Sequence, residues 1–380
     1  MTNSIVIIGT GLAGYTLARE IRKRDTQVAL CLITQDDGAF YSKPMLSNAL
    51  GKAKTADDLA SADADKMRSD LAAEILTQTT VTAVNVNEQK LEFENGQTLG
   101  YGHLVLAVGA QPIAPPLQGD AVAKVCAVNS LVDYRRFRQC LVGKHSVAII
   151  GPGLIGCEFA NDLISAGYEV HVIGPDAWPL GRLLPARAGA ALKQALQGVG
   201  VHWHLQCTAQ QVDAANDKLR LALDNEERLE VDVVLSAIGL RANSTLAQAA
   251  GLAVNQGIVV DHTLQTSCAN VYALGDCAEV NGRVLPFVMP LMQQARALAA
   301  TLCGEPTDVN YPAMPVLVKT TSYPVVVSPP PLHAQGVWQE ENLDGGVKAL
   351  FTADDRLLGF ALTGTVINEK QALTKLLSLA

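Results

Sequence analysis

Two glycine loops of identical spacing, Gly9-Thr10-Gly11-Leu12-Ala13-Gly14 and Gly151-Pro152-Gly153-Leu154-Ile155-Gly156, constrain this chain more than any other feature. Each follows a short β-branched run, "SIVIIG" or "SVAIIG", and each opens a segment with apolar residues at helical spacing. A run without internal polarity suits a strand buried on both faces, as in a parallel sheet. A second strand follows each helix, "QVALCLIT" and "YEVHVIG", giving two strand–helix–strand units. In such a unit the first glycine permits a tight turn and the second lets backbone N–H groups approach a pyrophosphate. The third permits close helix–strand packing, and the helix dipole favours the anion. A single match has a plain steric explanation, because glycine occurs in turns anyway. Two matches in the same context point to two dinucleotides, a flavin and a nicotinamide.

The repetition extends beyond the loops. Residues 79–108 alternate in polarity around an Asn95-Gly96 turn signal and close in "LVLAVG", as a β-meander returning to the sheet would. A second meander, "LRLALDNEERLEVDVVLSAIG", closes in "VVLSAIG". Between the two halves, 109–120 is rich in Pro and Gly and reads as a linker. From Tyr311 onward, prolines punctuate short strands. At 380 residues the chain exceeds what one core holds, roughly 250–300 residues. The expected architecture is α/β, with two Rossmann-like, three-layer ββα dinucleotide-binding domains and a small α+β C-terminal domain. The first dinucleotide domain is discontinuous, 1–114 with 240–310; the second spans 115–239, and 311–380 forms the third piece.

A net charge of −8 without any basic stripe excludes nucleic acid as a main partner. No apolar run approaches the roughly 18 residues of a membrane span. The start of the chain lacks the basic, apolar and cleavage regions of a signal peptide. A cytoplasmic, monomeric protein is expected. Its eight cysteines show neither CxxC nor CxxxxC spacing, so they read as reduced, buried small hydrophobes, with no metal site.

The stretch "TSCANVYALGDCAEV" (266–280) places Gly275-Asp276 after a buried strand and before the helical "MPLMQQARALAATL". Alone, this is a turn. Together with the duplicated fold it resembles the pyridine nucleotide–disulfide oxidoreductase superfamily, up to about residue 310. The resemblance implies FAD, with Asp276 meeting the ribityl chain and the helix starting near Val288–Met289 aimed at the isoalloxazine. It implies a cofactor-binding set of Gly9, Thr10, Gly11, Leu12, Ala13, Gly14, Thr34, Gln35, Lys43, Val81, Ala107, Gly109, Gly151, Gly153, Ile155, Gly156, Glu158, Gly239, Asp276, Val288 and Lys319. Gln35 stands at the usual ribose-binding position of the first unit, with Asp36 as substitute. Gly174 stands there in the second, with Asp176 two positions on. No arginine adjoins Gly174, Arg182 being nearest, which favours NADH over NADPH.

Where the dithiol enzymes of that superfamily carry cysteine, this chain has "FYSKPMLS" (40–47), so no thiolate stands there to take electrons from a flavin. Cys31 lies within the second strand. Cys157 lies in the first turn of the second helix, where a dipole can lower a thiol pKa, but no second thiol or base accompanies it and packing is the better reading. "YSKPMLS" resembles the "YDRPPLS(K)" element of the NADH-dependent ferredoxin and rubredoxin reductases. There, a lysine at the flavin N5 pairs with a glutamate two residues past the second glycine loop. Lys43 and Glu158 are the matching residues, although Lys43 precedes the proline instead of following the serine. With "GLIGCEFANDL", "YALGDCAEV" and "VKTxxxPxVVSPPP", the chain resembles bacterial rubredoxin–NAD⁺ reductases of the alkane-oxidising Pseudomonas type over its full length.

That resemblance implies hydride transfer from NADH to FAD and single electrons passed to rubredoxin, feeding alkane hydroxylation or oxygen scavenging. Lys43 and Glu158 are the implied catalytic pair, and Lys319 a further flavin-contacting lysine. Lys43, Lys319 and Lys370 together would form a positive rim for an acidic rubredoxin. Flavorubredoxin and ferredoxin reductases share these features, and a flavin-binding sensor without turnover is the alternative outside catalysis.

Overall fold

The computed structural model describes residues 4–331 and 333–377, which fall into two compact units. One takes the residues up to Lys43 with Asp58–Gln111 and Leu240–Tyr311. The other takes Pro44–Asp57, Pro112–Gly239 and the residues from Pro312 onward. Three helices carry the candidate sites: α1 (Leu12–Arg24), α2 (Leu154–Ser165) and α3 (Val288–Leu302).

The first unit is built on a five-stranded parallel sheet in the order Val271–Ala273, His103–Leu106, Ile5–Ile8, Leu30–Ile33, Glu74–Leu76. Ile5–Ile8 is buried at every position, as its unbroken apolar run predicts. α1 covers the sheet with Tyr15, Leu17, Ala18 and Ile21, all at 0% exposure, and packs against α3. Leu17 and Ile21 each contribute about 2 kcal/mol of burial. The third layer is the expected meander, Val81–Asn85, Lys90–Phe93 and Thr98–Gly100, paired antiparallel. Its Asn95-Gly96 turn holds Gly96 at φ +80°, and the Gly96 N–H donates to Phe93 O.

The second unit repeats the scheme. Val201–Leu205, Glu169–Gly174, Ser146–Ile150 and Val233–Ser236 form a parallel sheet in that order. Its meander is Ala209–Ala215, Lys218–Leu223 and Arg228–Val231. α2 buries Phe159, Ala160 and Leu163. The same unit holds a five-stranded antiparallel sheet from the C-terminal residues, ordered Val316–Val318, Val325–Ser328, Arg356–Thr363, Gly346–Ala353, Val337–Leu343. Pro315 and Pro324 immediately precede two of these strands and Pro329 follows one, so none removes a ladder N–H from a strand interior. The helix Ala186–Gly198 packs on this sheet, and Glu340 accepts from the N–H groups of Arg187 and Ala188 at 2.8 and 3.0 Å, closing that helix's N-terminus.

Candidate functional site

The two glycine loops have the same local geometry. Gly9 and Gly151 adopt φ of +115° and +116°, where only glycine is unstrained. A Cβ on Gly9 would stand 2.3 Å from Ala107 O, and one on Gly151 would stand 2.5 Å from Ala237 O. At Gly14 and Gly156 a Cβ would come within 1.9 Å of the carbonyl oxygens of Gly9 and Gly151. These four glycines are required by the protein's own packing. Gly11 and Gly153 are different: a Cβ there meets nothing within 4 Å, and both residues hold extended backbone that any residue adopts. Their smallness keeps open space at the helix N-terminus.

Those N-termini have no protein partner of the usual kind. α1, α2 and α3 lack a side-chain cap and carry no acid in the first turn. By contrast Ala64–Leu71 and Leu131–Cys140 are capped by Asp63 and Ser130. Free N–H groups, a favourable dipole and open space fit a pyrophosphate at α1 and at α2. The residues therefore fit two dinucleotides.

Around the first loop, Thr10 and Ala13 are buried, and a Cβ on Gly275 would lie 2.8 Å from that of Ala13. This brings the Gly275-Asp276 turn against the loop. Gln294 of α3, 2% exposed, fixes the turn by accepting from the Gly275 N–H at 2.6 Å and donating to the Tyr311 hydroxyl at 2.8 Å. Lys43 Nζ lies 3.5 Å from Asp276 Oδ2. Thr34 is buried and donates to Asp36 at 2.6 Å, while Asp36 also accepts from the Gly38 N–H. Asp36 thus holds its own turn, and Gln35, like Asp36, is exposed. Val81 opens the meander two residues past Thr79, whose N–H donates to Thr34 O. Gly109 accepts from the Asn243 N–H, and Val288 begins α3 in an exposed position.

Around the second loop, Ile155 is exposed and Gly239, at φ +126°, accepts from the Ile113 N–H. Gly174 is glycine for a steric reason, since a Cβ there would lie 2.1 Å from the Pro152 ring. Cys157 is fully buried with its thiol on Pro152 O, and burial followed by the neighbouring Glu158 charge pushes its pKa up, so packing is its role.

Glu158 is 1% exposed, and its partner corrects the sequence reading. The carboxylate is taken by Lys319 Nζ at 2.7 Å, by the Lys319 N–H at 3.0 Å and by the Ser47 hydroxyl at 2.5 Å. Lys319 Nζ also donates to Ser47 Oγ at 3.1 Å and to Pro44 O. In place of the expected Lys43–Glu158 pair, Glu158 pairs with Lys319 while Lys43 lies against Asp276. Of the lysines expected to form a rim, Lys43, Lys319 and Lys370, the first two each face a carboxylate, Asp276 and Glu158.

Three further residues escaped the sequence reading. Ser47, within "YSKPMLS", bridges Glu158 and Lys319. Asp162, 4% exposed, accepts from the N–H groups of Ala49, Leu50 and Gly51 at 2.9, 2.8 and 2.9 Å. Asn161 donates to Thr321 Oγ1 at 2.9 Å and accepts from the Ser322 N–H at 3.0 Å. The signal was present in "EFAND", where positions three and four after Glu158 share its side of the helix. Among the described residues, no group of three or more His, Cys, Asp and Glu side chains is arranged for a metal ion, and no helix is long and apolar enough to cross a membrane.

Known proteins share this organisation. Residues 3–299 match the pyridine nucleotide-disulphide oxidoreductase family, and residues 308–377 match the rubredoxin binding C-terminal domain. A rubredoxin-NAD(+) reductase of Alcanivorax borkumensis is 47% identical over 98% of this chain and 97% of its own length. A nitric oxide reductase FlRd-NAD(+) reductase of Vibrio vulnificus is 38% identical over 100% and 99%. Among solved structures, a ferredoxin reductase from Rhodopseudomonas palustris superposes with a TM-score of 0.89 at 25% identity, covering 100% of this chain and 96% of that one. The chain belongs to the pyridine nucleotide-disulphide oxidoreductase family.

Proposed function

We propose that the chain is an FAD-dependent NADH:rubredoxin reductase, a cytoplasmic monomer that feeds alkane hydroxylation or oxygen-scavenging electron transfer. The observation that carries this reading is the match of residues 308–377 to a rubredoxin binding domain, on a chain whose two glycine loops each leave open space at an uncapped helix. A bound flavin would supply hydride acceptance from NADH and single-electron return.

The chain's own residues bind and orient. The α1 and α2 N-termini hold one pyrophosphate each. Asp276 receives the flavin's ribityl hydroxyls while Gln294 keeps its turn in place. The α3 dipole and the ammonium groups of Lys43 and Lys319 favour negative charge on the flavin ring. Glu158, 1% exposed, fixes Lys319 in place. The C-terminal domain receives the small acidic iron protein.

Steady-state turnover with purified rubredoxin, flavorubredoxin and ferredoxin as alternative acceptors tests the reading. Rubredoxin should give a kcat/KM at least about tenfold above either alternative. Equal or better turnover with flavorubredoxin would assign the chain to the nitric oxide branch, which its lower identity to those relatives disfavours. A protein that keeps FAD but is not reduced by NADH would be a sensor.

A further inference from the structure

We infer that Asp162 is a positioning residue for Lys319, acting through the backbone of the Pro44–Gly51 segment. This rests on the reading of Lys319 as a flavin-side lysine. The segment follows the Lys43 position, carries the 3₁₀ turn Lys43–Asn48, and buries Leu46, Ala49 and Leu50. It is tied at both ends to one face of α2. At its far end, Asp162 takes three successive N–H groups, from Ala49, Leu50 and Gly51, on its two carboxylate oxygens. At its near end, Pro44 O and Ser47 Oγ supply two of the acceptors of Lys319 Nζ, and Glu158 supplies the third. Asn161, between them on the helix, holds Thr321 and Ser322 just after Lys319.

The lysine is thus gripped by a segment whose backbone is itself tied to α2 by Asp162. Its ammonium position is set by how firmly Asp162 holds residues 49–51. A buried carboxylate accepting three N–H groups is a stronger tether than a neutral acceptor, because each bond is charge-assisted. Gly51 supports this geometry: a Cβ there would lie 3.1 Å from Asp162 Oδ1 and 2.9 Å from Ser165 Cβ, so only glycine lets the backbone settle onto the carboxylate. Asp162 does not face the reacting groups; its effect should vanish when the lysine it positions is absent.

A double-mutant cycle on the FAD-loaded enzyme tests this, with the rate constant of flavin reduction by NADH as the readout. Asp162→Asn should slow reduction about tenfold while leaving the NADH dissociation constant within about twofold. In a Lys319→Met background the same substitution should change the rate by less than about twofold. Gly51→Ala, which displaces the segment without touching the helix charge, should behave alike and serves if Asp162→Asn fails to retain FAD. Equal effects of either substitution with and without Lys319 would overturn the inference while leaving the reading of Lys319 intact. A Lys319→Met enzyme reduced at the wild-type rate would overturn that reading, and the inference with it.

Discussion

Gly11 and Gly14 separate, at the scale of one residue, what the fold needs from what a ligand needs. Gly14 cannot gain a methyl group without meeting Gly9 O at 1.9 Å, so Gly14→Ala should cost about 3 kcal/mol or prevent folding. Gly11→Ala meets nothing within 4 Å and should change stability by no more than about 1 kcal/mol. Its methyl instead occupies the space above the α1 N-terminus, so the purified protein should retain much less flavin. Thermal unfolding and the ratio of flavin to protein absorbance read the two effects separately; a Gly11→Ala protein with full flavin content would contradict the assignment of that space. Glu158 and Lys319 make a second residue-scale contrast. Lys319→Met leaves a 1%-exposed carboxylate without its cation and should cost about 3 kcal/mol, whereas adding Glu158→Gln should recover most of the loss. Chemical denaturation of the single and double variants checks this, and a double variant less stable than Lys319→Met would contradict it.

Asp232 shows how an element's junction responds to pH. It sits between Arg228–Val231 and Val233–Ser236 and accepts from the His145 N–H, the Ser146 N–H and the Ser146 hydroxyl at 2.9–3.0 Å. Burial alone would push its carboxyl up, but those donors outweigh it and bring the pKa down to about 2. A depressed folded pKa gives stability that is complete above the unfolded value, about 4, and is lost as pH falls through about 2. Asp232→Asn should therefore flatten the acid side of the stability curve between those limits, measured by unfolding at a series of pH values; an unchanged slope would contradict the role. Elements of this kind were legible because their cause is local. Ile5–Ile8 and Ser146–Ile150 are buried throughout, the meander turn falls on Asn95-Gly96, and α3 begins at Val288 as its pattern predicts. The partner of Glu158 was not legible, because Lys319 lies in a distant strand end and spacing along α2 says which side a residue faces but not what comes to meet it. At Gly174 a steric cause was not legible for a related reason: the ring of Pro152, which fills the space a side chain would take, comes from the loop after another strand.

At the scale of the whole molecule, a chain of net charge −8 does not attract an acidic partner at long range, and Lys43 and Lys319 already face Asp276 and Glu158. Long-range attraction is then a small part of docking. The rate of rubredoxin reduction should vary by less than about threefold between low and moderate ionic strength, where charge-steered partners fall steeply. A steep fall with salt would restore the positive rim. The duplicated loops, with Gly9 and Gly151 matching to within 1° in φ, make the molecule two copies of one nucleotide cradle joined to a C-terminal sheet. The central claim is that one cradle's dinucleotide reduces the other's and that the C-terminal sheet admits an iron protein to collect the electrons. Anaerobic stopped-flow spectroscopy tests it most directly: NADH should bleach the yellow FAD-loaded protein within a turnover, and oxidised rubredoxin mixed next should restore the flavin colour as its own iron absorbance fades. A bleached protein that rubredoxin leaves bleached, or a yellow one that NADH never bleaches, would contradict the account.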